Sequence, residues 1–141
     1  MKELFHSLNN QEARLLAGAG YPKSPAIYVF LEEDRAIHVG RTRNLRQRVA
    51  GHISSSHYSA SFAFKEARRT TGNLKASYKS TGSRSALFAE STFRNEFEKQ
   101  LARLRSCKIK FLIVHDPVDQ YLLELYAALE YGTSLTEFDT H

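Results

Sequence analysis

The residues best suited to handle charge in this chain are scattered but ordered: Tyr28, His38, Arg48, His52 and, far downstream, Glu124. In a helix Arg48 and His52, four apart, fall on one side. In strands, Tyr28 shares a face with Ala26 and Phe30, and His38 with Ala36 and Gly40. Glu124 on a helix has Gln120, Ala127 and Ala128 as same-face neighbours, and two alanines beside a carboxylate leave space. The surrounding charge is segregated. Eleven Lys and Arg (Arg35, Arg41, Arg43, Arg46, Arg48, Lys65, Arg68, Arg69, Lys75, Lys79 and Arg84) stand against Glu66 alone between positions 35 and 84. Residues 111–141 contain no Lys or Arg, only Asp116, Asp119, Glu124, Glu130, Glu137 and Asp139. Such a basic middle and acidic end suit a polyanion-binding surface beside carboxylates that could hold a cation. Charge bias alone is met equally well by a solvated basic face. Taken singly, Tyr28 reads as a core aromatic and Glu124 as an exposed carboxylate; their joint order is what points to chemistry.

The elements that must position these side chains follow from local pattern. Asn9-Asn10-Gln11-Glu12 reads as a helix start, continued by Ala13–Ala19 and broken by Gly20, Pro22 and Pro25. Ala26–Leu31 and Ala36–Gly40 are β-rich runs around a polar turn, a hairpin pattern. A three-residue loop, Glu32-Glu33-Asp34, would set Tyr28 directly opposite His38. Asn44 is the expected cap of a helix through His52, with Leu45 and Val49 as its apolar stripe. Residues 54–84 are rich in Ser, Gly and Lys, with a helical signal at Ser61–Arg69. A better helical period covers Ser85–Arg105, and Lys108–Val114 reads as a third strand. Asp116 as cap and Pro117 in the first turn open a last helix that Gly132 ends, with Leu122, Leu125 and Leu129 on a face apart from Glu124.

The expectation is therefore an α+β fold: a small antiparallel three-stranded sheet flanked by helices, in one domain spanning 1–141. Residues 1–25 form an N-terminal helical extension, and residues 53–107 a helical insertion between the first core helix and the third strand. The length of 141 residues suits one core. A single cysteine, Cys107, excludes an internal disulfide and a Cys-rich zinc module, and makes the cytoplasm the default compartment. The first residues lack a signal-peptide pattern, and no apolar run approaches the roughly 20 residues needed to span a bilayer.

With these residues in order, the chain resembles the GIY-YIG nuclease family. Ala26-Ile27-Tyr28 stands where that family has GIY, and His38-Val39-Gly40 where it has YIG; Ala26 replaces a glycine and His38 a tyrosine. The run GRTRNLRQRVAGH is similar to the family's helix, with a basic residue after the second motif at Arg41, the catalytic arginine at Arg48 and a His at His52. DQYLLE resembles the segment ending in the metal-binding glutamate, which falls on Glu124. The resemblance covers roughly residues 26–52 and 108–131; the family's closing Pro-x-Tyr-Asn-like element has only Phe138-Asp139, within SLTEFDTH, as a shifted counterpart.

The resemblance implies metal-dependent endonuclease chemistry: hydrolysis of phosphodiester bonds in nucleic acid, with DNA the expected form. A divalent ion of the Mg²⁺ type would be held by Glu124, needing few protein ligands. Arg48 would stabilise charge on the phosphate, Tyr28 would orient or deprotonate water, and His38 or His52 would move a proton. Arg41, Arg43, Arg46, Lys65, Arg68 and Arg69 would contact the nucleic acid. The alternative is a catalytically weak or inactive nucleic-acid-binding module of the same fold. Targeting would come from the 53–107 segment, a homodimer or a further protein partner.

Overall fold

The computed structural model describes residues 1–54, 60–72 and 91–133. Lys75, Lys79, Arg84, the expected helical residues 85–90 and the closing SLTEFDTH segment lie outside them. Among the described residues there are five helices and four strands in the order α1 (Lys2–Asn9), β1 (Arg14–Leu15), β2 (Ala26–Glu32), β3 (Arg35–Thr42), α2 (Leu45–His52), α3 (Ser61–Thr70), α4 (Ser91–Arg105), β4 (Lys108–Ile113) and α5 (Pro117–Tyr131). No helix among them is long and apolar enough to cross a membrane. The chain divides into two compact units, Met1–Arg48 with Ser106–His141, and Val49–Arg105.

The first unit is built on an antiparallel sheet of four strands, in the order β1-β4-β2-β3, rather than the expected three. The added strand is the two-residue β1, where Arg14 and Leu15 pair with Ile109 and Lys108. This segment was expected to be helical. The helix instead lies earlier, and Asn9-Asn10, read as its start, is its end: the Asn10 N–H closes onto the His6 carbonyl and the Gln11 N–H onto that of Leu8. Asparagine suits either terminus, and the apolar positions decide. Leu4, Phe5 and Leu8 carry α1 onto a core of Ile27, Val29, Val39, Val114, Leu123 and Ala127, and that burial outweighs the cap signal.

The β2–β3 hairpin turns through only two residues. Glu32 pairs with Arg35, and Glu33 and Asp34 both have positive φ (50° and 64°), the backbone of a type I′ turn. The register then shifts between Phe30 and Leu31, so that Phe30 faces His38 while Leu31 faces Ala36, and Ile37 is the extra residue of a β-bulge. Tyr28 consequently lies opposite Gly40, not His38. A two-residue turn without the bulge would have put Val39 across from Tyr28 and sent Gly40 to the other face.

α2 begins where the sequence places it, with Asn44 Oδ1 accepting from the Gln47 N–H at 3.2 Å. Its first turn is also fastened to the preceding loop, Leu45 N–H to Ser24 O and Arg46 N–H to Pro22 O. The last helix, α5, has both expected ends. Asp116 accepts from the Asp119 N–H at 2.9 Å, and Gly132 takes the left-handed conformation at φ 70° while the Thr133 N–H returns to Ala128 O. α5 buries Gln120, Leu123, Glu124, Ala127 and Ala128, whereas Val118, Leu122, Leu125 and Leu129 are exposed. The small residues beside Glu124 are therefore filled by protein: Ala127 is part of the core.

The second unit packs α3 and α4 through aromatic rings, Phe64 against Phe93 at 5.0 Å and against Phe97 at 6.2 Å between centroids. Glu66 is its ionic hub, 2.7 Å from Arg69 and 3.4 Å from Arg103.

Candidate functional site

The sequence separates Arg41 from Glu124 by 83 positions; the fold closes that gap to a 3.1 Å hydrogen bond between Arg41 Nε and Glu124 Oε1. Alternation explains the meeting. Val39 points into the core against Leu123 and Ala127, so Arg41, two residues further along β3, emerges on the same face near the turn of α5 that carries Glu124. The glutamate side chain is fully buried and the arginine side chain about one-third exposed (0% and 32%). A buried carboxylate requires a partner of opposite charge, and the guanidinium supplies one. The Arg41 guanidinium also lies over the Tyr121 ring, 5.3 Å from its centroid, a cation–π geometry.

One turn earlier on α5, Gln120 ties together the ends of the strands. Its Nε2 donates to Thr42 O at 2.8 Å and to Ala26 O at 3.4 Å, while its Oε1 accepts from Arg43 Nη1 at 3.1 Å. Arg43 Nη1 donates also to His115 O at 3.0 Å. Arg46 has a comparable bracing bond, Nε to Tyr21 O at 2.7 Å. Three arginines expected to meet nucleic acid thus each hold a contact within the first unit, and Arg43 and Arg46 remain exposed beyond it.

Tyr28 is fully buried on the other face of the sheet, where it packs with Phe30 and His38 at centroid distances of 5.3 and 5.9 Å; Phe30 and His38 are 5.1 Å apart. Its ring lies across Gly40. A Cβ on residue 40 would come within 2.4 Å of both Cζ and Oη of Tyr28, far inside the roughly 3.5–4.0 Å of normal carbon contact. The two strand motifs are therefore one packing unit: the glycine of the second makes room for the tyrosine of the first.

The structure accordingly joins Arg41 to Glu124, and Tyr28 to His38, on opposite faces of the sheet. Arg48 stands partly exposed on α2; His52, four residues on, is buried and belongs to the second unit. Of the remaining basic candidates, Arg68 is buried with its guanidinium over Phe64, 5.8 Å from the ring centroid, and Arg69 is paired to Glu66. Lys65 is partly exposed. Tyr121 and the brace made by Gln120 carry no motif of their own, and their only signal in the sequence is their position three and four residues before Glu124.

No group of three or more His, Cys, Asp and Glu able to hold a metal ion occurs among the described residues. The donor set at Glu124 is one buried carboxylate. With its side chain at 0% exposure and one oxygen accepting from Arg41, it would admit a largely hydrated ion, of the kind that takes one or two carboxylates and completes its shell with water and phosphate oxygens, only once Arg41 gives way, and it does not fit an ion caged by several side chains. No family model, curated protein or solved structure matches the chain.

Proposed function

We propose that this protein is a metal-dependent endonuclease of the GIY-YIG type, acting on phosphodiester bonds in DNA. The observation that carries the reading is the Arg41–Glu124 pair at 3.1 Å, since two residues assigned to one site from separate motifs meet. The Tyr28–Gly40 packing supports it by giving the paired strand motifs a common physical cause.

In this reading Glu124 would hold a Mg²⁺-type ion once Arg41 gives way, and the ion would supply charge neutralisation at the phosphate. Arg41 keeps the carboxylate in place: fixed by its bond to Glu124 and its contact with Tyr121, it holds the carboxylate in one rotamer and compensates its charge between turnovers. Arg48, partly exposed on a helix whose start is fastened at Asn44, Leu45 and Arg46, presents a planar fork to the scissile phosphate. Tyr28 and His38 lie on the face of the sheet opposite Glu124, with Tyr28 fully buried, so in this reading they build the paired strands rather than orient water or move a proton at the carboxylate.

The experiment is nicking of supercoiled plasmid with and without Mg²⁺, alongside Glu124→Gln and Arg48→Lys. Both variants should lose at least about 100-fold in cleavage, the scale of removing one transition-state donor, while retaining DNA binding. Cleavage by Glu124→Gln at the wild-type rate removes Glu124 from the site. A second reading, a binding module without turnover, is favoured by the guanidinium already neutralising Glu124 and by the full burial of Tyr28. Metal-independent binding with no nicking by the wild type would select it.

A further inference from the structure

The function above leaves unused an aromatic ring at the edge of the same site. Tyr121 stands three residues before the buried Glu124, is about half exposed (51%), and has the Arg41 guanidinium over its ring. We propose that Tyr121 is a base-stacking platform and that the substrate presents an unpaired nucleotide beside the site, as a single strand, a flap or a frayed end. The inference rests on the nucleic-acid reading and narrows its substrate class.

Arg41 is fixed by its bond to Glu124 and lies over the ring, so one side of Tyr121 is held by a cation and the ring is oriented before any ligand arrives. Base stacking on protein aromatics is tolerant of sequence because every base has a π face, and it requires the base to be out of the duplex stack. A tyrosine loses little conformational freedom on docking and offers a large flat area. Its neighbours on α5 that face outward, Val118, Leu122 and Leu125, have no flat face to stack. Continuous duplex offers its phosphates to Arg43 and Arg48 but no base to Tyr121.

The test is equilibrium binding in EDTA, where metal-dependent turnover is absent, measured by fluorescence anisotropy. The probes are a fluorescein-labelled DNA oligonucleotide, single-stranded, and the same sequence as a blunt duplex. Tyr121→Leu keeps apolar cover over Arg41 but removes the flat ring; it should weaken single-strand binding about 5- to 150-fold, the range of one base–aromatic stack, and duplex binding less than about twofold. Tyr121→Trp should retain wild-type single-strand affinity. Equal losses on both probes, or no loss on the single strand, overturn the platform, because a ring that only braces Arg41 would act on both alike. If the wild type binds neither probe, the platform and the nucleic-acid reading fall together. If the selective loss appears while plasmid nicking is absent, the platform stands and the nuclease reading falls.

Discussion

Gly40→Ala is a one-methyl change whose cost can be worked from the structure. The new Cβ would stand 2.4 Å from Tyr28 Cζ and Oη and 2.8 Å from Cε2. Relief to ordinary contact needs the ring to retreat by about 1 Å or more. Tyr28 has little room to do so: it is fully buried, on the middle of a strand paired on both sides, with Phe30 and His38 against it. Overpacking of this kind costs about 1–3 kcal/mol, and this case belongs in the upper half because a rigid ring, not a flexible chain end, must move. In a Tyr28→Leu background the obstruction is gone, and Gly40→Ala should cost less than about 0.5 kcal/mol. The difference is a coupling energy of about 1.5–3 kcal/mol, within the range for residues in contact. Urea unfolding of the four proteins at 25 °C measures the cycle, with unchanged m-values confirming comparable folded states. A Gly40→Ala cost that is the same in both backgrounds would show that the glycine serves some other purpose than accommodating Tyr28.

Arg41→Ala should destabilise the fold by about 3 kcal/mol, the lower end for stranding a buried carboxylate because Arg41 is itself part exposed; adding Glu124→Gln should recover most of it, and a purely additive double mutant in urea unfolding would refute the pairing. Charge reversal at Arg68 should lower stability without changing the salt dependence of DNA binding, whereas reversal at the exposed Arg43 should lessen the slope of log K against log[salt] by roughly 0.9 or more; the opposite pattern would move the contact surface to α3. Burial pushes the Tyr131 phenol up to about 12, and its hydroxyl donates to Asn9 Oδ1 at 2.9 Å. The unfolded chain ionises this group near 10, so the folded state keeps the proton longer and stability falls as pH rises from about 10 to 12. Tyr131→Phe should reduce that alkaline loss, with Tyr21, also raised by burial, accounting for a remainder; an unchanged limb in denaturation against pH would refute the assignment.

What could be read from sequence was whatever a few neighbouring residues decide. The Asn44 and Asp116 caps, the Gly132 stop and the β-rich runs of β2, β3 and β4 are local patterns, and the structure has them all. The Asn9-Asn10 pair misled because asparagine serves both ends of a helix, and β1 was invisible because two residues become a strand only beside β4. The buried side of α5 was equally hidden. Leu122, Leu125 and Leu129 face out, while Gln120 and Glu124 face in beside Leu123, Ala127 and Ala128, since the strand ends at Ala26, Arg41 and Thr42 supply the polar partners Gln120 and Glu124 require. The order of the candidate residues was legible; their division between two faces of the sheet depended on a bulge that no local pattern announces.

That bulge sets a rule for how the segment between the two strand motifs can change length. With residues paired one for one, a two-residue turn makes opposite partners an odd number of positions apart, yet Tyr28 and Gly40 are an even number apart. The extra residue, Ile37, supplies the missing count. Lengthening the hairpin by one residue on each strand preserves the match, and so does exchanging the bulge for a three-residue turn. A single insertion or deletion that leaves turn and bulge otherwise intact does not: it brings a residue with a Cβ beneath the tyrosine and sends the glycine to the other face of the sheet. Length variants of this hairpin that still fold should therefore differ by two residues.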